Sequence, residues 1–280
     1  MKIRVGVLQF DIALGDREQN RATLRRMLAS ALAPSGLPTT ATLPEIWDVG
    51  YALDRAGELA DPEGAGAAEF LGKTAREHGV WFVGGSVLAS TPRGLVNRAQ
   101  VIDPQGRLAA YYDKAHLIRL MHEDKYFVPG RRMCRFNLAG IEAGCVVCYD
   151  IRFCEWVRAY AVGGMEILFV SAEWPSSRIE HWEALLRARA IENQTFVVAC
   201  NRCGTTKGTR FGGRSMILSP TGETLFRAGD DGEEAGFITI EMDEVARTRK
   251  FLTVFEDRAP ELYRAVVSGQ PYPDSANPTQ

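Results

Sequence analysis

Three short segments of this 280-residue chain hold side chains able to make and break bonds. They are Leu43-Pro44-Glu45-Ile46-Trp47, Tyr111-Tyr112-Asp113-Lys114-Ala115-His116-Leu117 and Val146-Val147-Cys148-Tyr149-Asp150-Ile151-Arg152-Phe153. Cys148 follows an apolar run and precedes a helical pattern. A thiol at a helix N-terminus is drawn toward thiolate by the partial positive charge there. The neighbouring Tyr149 N–H, lacking an intrahelical acceptor, is free to hold an oxyanion. The same cysteine also reads as a small buried hydrophobe. Glu45 sits at the end of an apolar strand, where burial raises a carboxyl pKa toward general acid–base work; it reads equally as a solvated loop residue. Lys114, with His116 close by, follows a hairpin strand and is either an electrostatic group or a surface lysine in a turn.

Other candidates are weaker. Cys200-Asn201-Arg202-Cys203 is a single C-x-x-C with no second pair, so it does not make a zinc or redox site. His78, His116, His122 and His181 lack metal-ligand spacing, and no metal or organic cofactor is expected. Cys203-Gly204-Thr205-Thr206-Lys207-Gly208 does not fit the G-x-x-x-x-G-K-[ST] phosphate loop.

The elements that must position these residues are alternating strands and helices. Ile3–Phe10 reads as a buried strand. Asp16 and Gln19 form a capping pair for a helix whose apolar stripe is Leu24, Met27, Leu28 and Ala31. Thr39–Leu43 is a short strand, and Ala65–His78 a helix closed by Gly79. Val80–Leu88 and Leu95–Asp103 are strands, the second returning through Asp103-Pro104-Gln105-Gly106 into Arg107–Tyr112. Cys145–Tyr149 ends another strand and leads into a helix over Ile151–Val162. Glu166–Ser171 is a buried strand. Arg178–Asn193 is a helix with Ile179, Trp182, Leu186 and Ala190 on one side and a Glu183–Arg187 pair on its surface. Phe196–Cys200, Ser215–Ser219, Thr224–Arg227 and Ala235–Glu241 complete the strands. The pattern predicts a layered α/β (α+β) domain over residues 1–265 and an exposed tail over 266–280.

Composition narrows the function. The chain is 46% apolar and 24% charged, neither a disordered nor a membrane composition. Lys plus Arg number 33 and Asp plus Glu 35, a formal charge of −2 that gives no global attraction to nucleic acid or to an anionic membrane. No run approaches ~18 apolar residues, so no membrane span is expected. Six cysteines in a chain of this length, without a secretion signal, read as free thiols in a reducing, cytoplasmic setting.

In this order, the three segments resemble the nitrilase superfamily of carbon–nitrogen hydrolases. The shared features are a Glu after Leu-Pro, a Lys in Tyr-x-Lys-x-His-Leu and a Cys in Cys-Tyr-Asp-x-Arg-Phe. Further matches are Glu123 ahead of Pro129-Gly130, Ser171-Ala172-Glu173-Trp174-Pro175, the Leu186–Gln194 helix and Asn201-Arg202. The likeness runs from residue 3 to about 262. Cys154 stands where the pattern commonly has Pro, and the strand before Glu45 is Thr-rich; neither touches a reacting group.

The resemblance implies a four-layer α-β-β-α sandwich that pairs into a homodimer. It implies Glu45, Lys114 and Cys148 as a catalytic triad, with Glu123 as a second carboxylate, and a thioester route to ammonia and a carboxylic acid from a small amide. The segments resemble most the omega-amidase branch, which acts on monoamides of short dicarboxylic acids such as 2-oxoglutaramate. Such a substrate needs a cationic anchor, for which Arg178, Arg202 and Arg214 are candidates. Trp174 is a candidate pocket wall and the Tyr149 N–H an oxyanion donor. N-carbamoyl amino acid hydrolysis and aliphatic nitrile hydrolysis share the same three residues. A non-catalytic binding module that keeps the fold predicts a lost triad member, and all three are present.

Overall fold

Alternation along the first strand already specifies two cores. Ile3, Val5 and Val7 face one apolar cluster, while Leu8 and the following Phe10 face another. Both faces of that strand are therefore covered. The computed structural model describes residues 1–267. The elements run β1 (Lys2–Gln9), α1 (Arg17–Ala31), β2 (Thr39–Thr42), α2 (Ala56–Leu59), β3 (Asp61–Pro62), α3 (Ala65–His78), β4 (Trp81–Thr91), β5 (Gly94–Ile102) and β6 (Leu108–Asp113). They continue with β7 (Cys134–Leu138), β8 (Ile141–Val147), α4 (Cys154–Val162), β9 (Ile167–Ala172), α5 (Ile179–Asn193) and β10 (Phe196–Asn201). The last are β11 (Thr205–Thr206), β12 (Thr209–Arg210), β13 (Met216–Leu218), β14 (Thr224–Arg227), β15 (Glu234–Glu241), α6 (Asp243–Phe251) and α7 (Pro260–Val267).

Two sheets result. The first has strand order β15-β1-β2-β4-β5-β6, with β3 paired to β4 off that path. The second has order β14-β13-β10-β9-β8-β7. Each has a parallel centre, β1-β2-β4 and β8-β9-β10, flanked by antiparallel strands. β15 closes the first sheet against β1, from Lys2↔Glu241 to Gln9↔Glu234. The sheets lie face to face, with β1 on β10 and β4 on β8 and β9. Val5, Val7, Val83, Ala99 and Val101 of the first sheet share one core with Val146, Phe169 and Val198 of the second. Helices α1 and α3 cover the outer face of the first sheet through Leu24, Met27, Leu28 and Leu71. Helices α4 and α5 cover the second through Val157, Trp182, Leu186 and Ala190. This is the four-layer α-β-β-α sandwich.

Local expectations hold in part. Asp16 caps α1 by accepting from the Gln19 N–H at 3.0 Å, and Gly79 ends α3 in the left-handed conformation. The helix expected over Ile151–Val162 instead begins at Cys154, because residues 148–152 form a tight 3₁₀ turn. The helix expected from Arg178 begins at Ile179, after a 3₁₀ turn over Ser176–Arg178. Glu183 does not pair with Arg187: it bonds Arg214 and Arg227, while Arg187 turns to Thr224 at 3.0 Å. Partners from a neighbouring strand displaced the local i, i+4 pair, which contributes only a few tenths of a kcal/mol. The hairpin strand β7 and the helix α6 were not anticipated from the pattern. Of the expected tail, 266 and 267 end α7 and the remainder lies outside the described residues.

Candidate active site

Glu45 reaches the inter-sheet space because a bulge holds its segment. β4 and β5 slip register between Val83 and Ser86. Gly84 and Gly85 span the slip with φ of +77° and +74°, a region open to glycine at no steric cost. A Cβ at Gly85 would stand 2.6 Å from Leu43 Cβ. Ser86 then captures the next turn, its Oγ accepting from Ile46 N–H at 2.9 Å and its carbonyl from Trp47 N–H at 3.0 Å. Ile46 itself sits at φ +41°, a strained value for a β-branched residue that the surrounding bonds enforce.

Lys114 follows the last residue of β6, and Gly130 locks it. The Gly130 N–H donates to the Lys114 carbonyl at 2.8 Å. A Cβ at Gly130 would fall 1.8 Å from the Asp113 carbonyl oxygen, so only glycine permits this approach.

Cys148 follows the second sheet's β8 directly, in a sharp elbow at φ +48°. Asp150 ties that elbow to the Lys114 segment. It accepts from Val147 N–H at 3.0 Å, Tyr112 Oη at 2.8 Å and His116 N–H at 3.0 Å, and meets His116 Nδ1 at 2.7 Å. The His116 ring stacks on Phe153 with centroids 3.7 Å apart.

The four predicted residues Glu45, Lys114, Glu123 and Cys148 converge and are all buried. Lys114 Nζ lies 2.8 Å from Glu45 Oε1 and 2.8 Å from Glu123 Oε1. Glu45 Oε1 also accepts from Tyr51 Oη at 2.7 Å and Asn97 Nδ2 at 2.8 Å, and its Oε2 from the Glu173 N–H at 3.0 Å. Glu123 Oε1 takes a second contact from Tyr51 Oη at 2.5 Å, and its Oε2 accepts from Ile118 N–H at 2.7 Å.

Two electrostatic expectations are corrected. Burial pushes the Glu45 carboxyl up, but the Lys114 charge and the converging donors outweigh it and hold Glu45 below its ordinary value. Burial and the Glu45 charge together push the Cys148 thiol well up, against the pull of Lys114. The resting sulfur is therefore protonated and faces an ionised base, rather than being a thiolate made by a helix terminus; the turn after it is 3₁₀, too short for a large dipole. Burial, with Glu45 nearby, also holds Glu123 above its usual range. Burial pulls Lys114 down, but its two carboxylates leave it firmly charged.

A cleft of about 580 Å³ opens onto this cluster, lined by Cys148, Tyr149, Glu173 and Trp174 with Arg119, Arg152 and Arg178. Arg152 lies over the Trp174 ring at 4.8 Å. No carboxylate pairs with Arg119, Arg152 or Arg178 among the described residues. Of the proposed anchors, only Arg178 is in this wall. Arg202 is buried behind it, bonded to Glu173 Oε2 at 2.8 Å and Asp11 Oδ1 at 2.5 Å. Arg214 is taken up by Glu180, Glu183 and Asp230. Among the described residues no cluster of His, Cys, Asp or Glu could hold a metal ion, and no helix is long and apolar enough to cross a membrane. Sequence reasoning missed Tyr51, Asn97, Arg119 and Arg152. A polar Asn97 between buried Val96 and Ala99 was the one available signal.

The carbon–nitrogen hydrolase family profile matches residues 4–250. The chain belongs to the carbon–nitrogen hydrolases. This hydrolase is 40% identical over 265 residues to 2-oxoglutaramate amidase of Bacillus subtilis, covering 94% of this chain and all of that one. Its structure resembles XC1258 of Xanthomonas campestris, a member of the same superfamily with an arsenic adduct in its active site, at TM-score 0.84 and 26% identity over 92% and 98% of the two chains. It also resembles the amidase of Nesterenkonia sp. AN1 that carries the acetamide moiety of fluoroacetamide on its active-site cysteine, at TM-score 0.82 and 25% identity over 94% and 95%.

Proposed function

We propose that this hydrolase is an omega-amidase, releasing ammonia from the monoamide of a short dicarboxylic acid such as 2-oxoglutaramate. The observation that carries the reading is the charge layout of the cleft: a buried thiol at its base and, along its wall, Arg119, Arg152 and Arg178, none of them paired with a carboxylate among the described residues. Glu45 takes the Cys148 proton as sulfur attacks the amide carbonyl. The oxyanion is held by Lys114 and the Tyr149 N–H, each donor contributing about 3–4 kcal/mol in comparable sites. Glu45 returns the proton to nitrogen, the C–N bond breaks and ammonia leaves. Water, deprotonated by Glu45, then opens the thioester to the acid and restores the thiol. Glu123 offsets the burial of the Lys114 charge. Similarity to the Bacillus subtilis 2-oxoglutaramate amidase supports the substrate class.

The test compares succinamate with butyramide, which has the same length without the carboxylate. A charge-assisted bond to an arginine contributes about 1.5–3 kcal/mol, so succinamate gains about 10- to 150-fold in kcat/KM. Equal values refute the reading, and preference for N-carbamoyl amino acids or nitriles moves it to another branch. We also propose a homodimer, supported by exposed Val162, Ile191 and Phe251 on the outer helices and Leu252 just after α6; light scattering gives the mass. The six free cysteines fit a reducing, cytoplasmic setting.

A further inference from the structure

One ammonium serves two buried acids, so the cluster keeps a surplus negative charge that neutral donors must offset. Asn97 Nδ2 and the Glu173 N–H reach Glu45 alone, and the Ile118 N–H reaches Glu123 alone. Among the described residues only Lys114 and Tyr51 touch both acids. The Tyr51 hydroxyl oxygen lies 2.7 Å from Glu45 Oε1 and 2.5 Å from Glu123 Oε1, with one proton for two acceptors. The turn after Glu45 builds this placement. The Gly50 N–H donates back to the Ile46 carbonyl at 2.7 Å, and Gly50 takes φ +61°. The Gly15 N–H and Asn20 Nδ2 clamp the same turn on the Val49 and Asp48 carbonyls, each at 2.8 Å. The chain thus doubles back and returns Tyr51 to an acid six residues earlier. Its ring packs against the cluster of Ile46, Val49 and Leu53 and lines no part of the substrate cleft.

We propose that Tyr51 is a positioning residue for the base: its shared proton holds Glu45 ionised and sets the lowest pH at which the hydrolase attacks its substrate. The inference rests on Cys148 and Glu45 acting as described above. The titratable groups facing Glu45 are Lys114 beyond β6, Glu123 in the turn that follows, Cys148 beyond β8 and Glu173 beyond β9, with Arg202 behind Glu173. Lys114 favours the ionised form, whereas the Glu123 and Glu173 charges oppose it. Burial and the two acids push the Tyr51 hydroxyl itself well up, so it remains a donor across the working range. Losing one donor raises the proton affinity of a buried carboxylate about 10- to 150-fold, and a proton shared with Glu123 belongs at the lower end.

The experiment follows alkylation of Cys148 by iodoacetamide from about pH 4 to 8, in a Cys154→Ser background because Cys154 is exposed. Sulfur displaces iodide as the thiol proton passes to Glu45, so the rate falls as Glu45 becomes protonated. Tyr51→Phe keeps the ring and its packing and removes only the hydroxyl. Its acid limb should lie about one pH unit above the parent's, with the rate at pH 8 within about threefold. The acid limb of kcat/KM for succinamate should move equally, with KM unchanged, since the hydroxyl faces the acids and not the cleft. Tyr51→Leu, which removes the ring as well, should show the same limb and a lower Tm. A limb unmoved in Tyr51→Phe gives the proton to Glu123 alone and overturns the proposal. A limb that moves only in Tyr51→Leu, or equal slowing at every pH, makes Tyr51 a packing residue and overturns it too. Since alkylation involves no turnover, loss of the succinamate preference with the limb shifted would overturn the omega-amidase reading alone. No labelling of Cys148 removes the nucleophile and both proposals.

Discussion

Replacing Lys114 by methionine keeps the side-chain length and removes the charge shared by Glu45 and Glu123. Both carboxylates are fully buried, and each lies 2.8 Å from the ammonium. Breaking a buried ion pair from one side costs about 3–5 kcal/mol, because an uncompensated charge remains. At about 2.1 cal/mol/K per residue, unfolding of 280 residues carries an entropy near 0.6 kcal/mol/K, so Tm should fall by about 5–9 °C at pH 7.5. Acid should narrow the gap. In the variant the orphaned carboxyls have folded pKa values above their unfolded ones, so the penalty is absent below about pH 4 and grows as pH rises through and beyond the unfolded value. In the parent, Glu45 is depressed, and its contribution is lost as pH falls through its folded value. The decisive comparison is the double variant Lys114→Met/Glu123→Gln, which removes one of the two orphaned charges. It should be more stable than Lys114→Met alone by about 1–3 kcal/mol, and subtracting the effect of Glu123→Gln alone, with all four proteins of the cycle unfolded by denaturant, gives the coupling. Additive losses, or a Lys114→Met penalty that does not change between pH 5 and 8, would refute the claim that this lysine neutralises two ionisable partners.

Two further outcomes follow from the same geometry. Cys148→Ala should abolish ammonia release while leaving Tm within a few degrees, since it deletes a single buried sulfur atom and leaves a void of about one methyl group; calorimetry beside an ammonia assay checks it. Asp150→Asn replaces an acceptor of four contacts by a group with one acceptor oxygen, costing about 1.5–3 kcal/mol for each donor left facing nitrogen; chemical denaturation and kcat should both register the change, and retention of full activity would separate the elbow from the Lys114 segment.

Much of the architecture was legible because strand and helix periodicities are local properties. Ile3, Val5 and Val7 announce a face, and Leu24, Met27 and Leu28 a stripe. What was not legible depended on distance. The pKa of Glu45 looked raised from its apolar neighbours, yet its value is set by Lys114, 69 residues along the chain. Cys148 looked like a thiolate at a helix end, yet the inter-sheet burial and Glu45 decide its proton. Arg202 and Arg178 were indistinguishable as residues near strand ends; only the packing separates a guanidinium spent on Glu173 and Asp11 from one facing open cleft. Tyr51 gave no signal, because an isolated tyrosine after glycine says nothing about two acids it will bridge.

The division of labour between the halves of the fold has its own consequence. Strands up to Asp113 and the segments beside them present the base and the ammonium, whereas the sulfur arrives on β8 of the opposite sheet. Neither slab holds a working constellation alone. Turnover therefore acts as a gauge of how closely the slabs are clamped, and mild denaturant that lets them part by an ångström should silence the enzyme while its circular dichroism is still native.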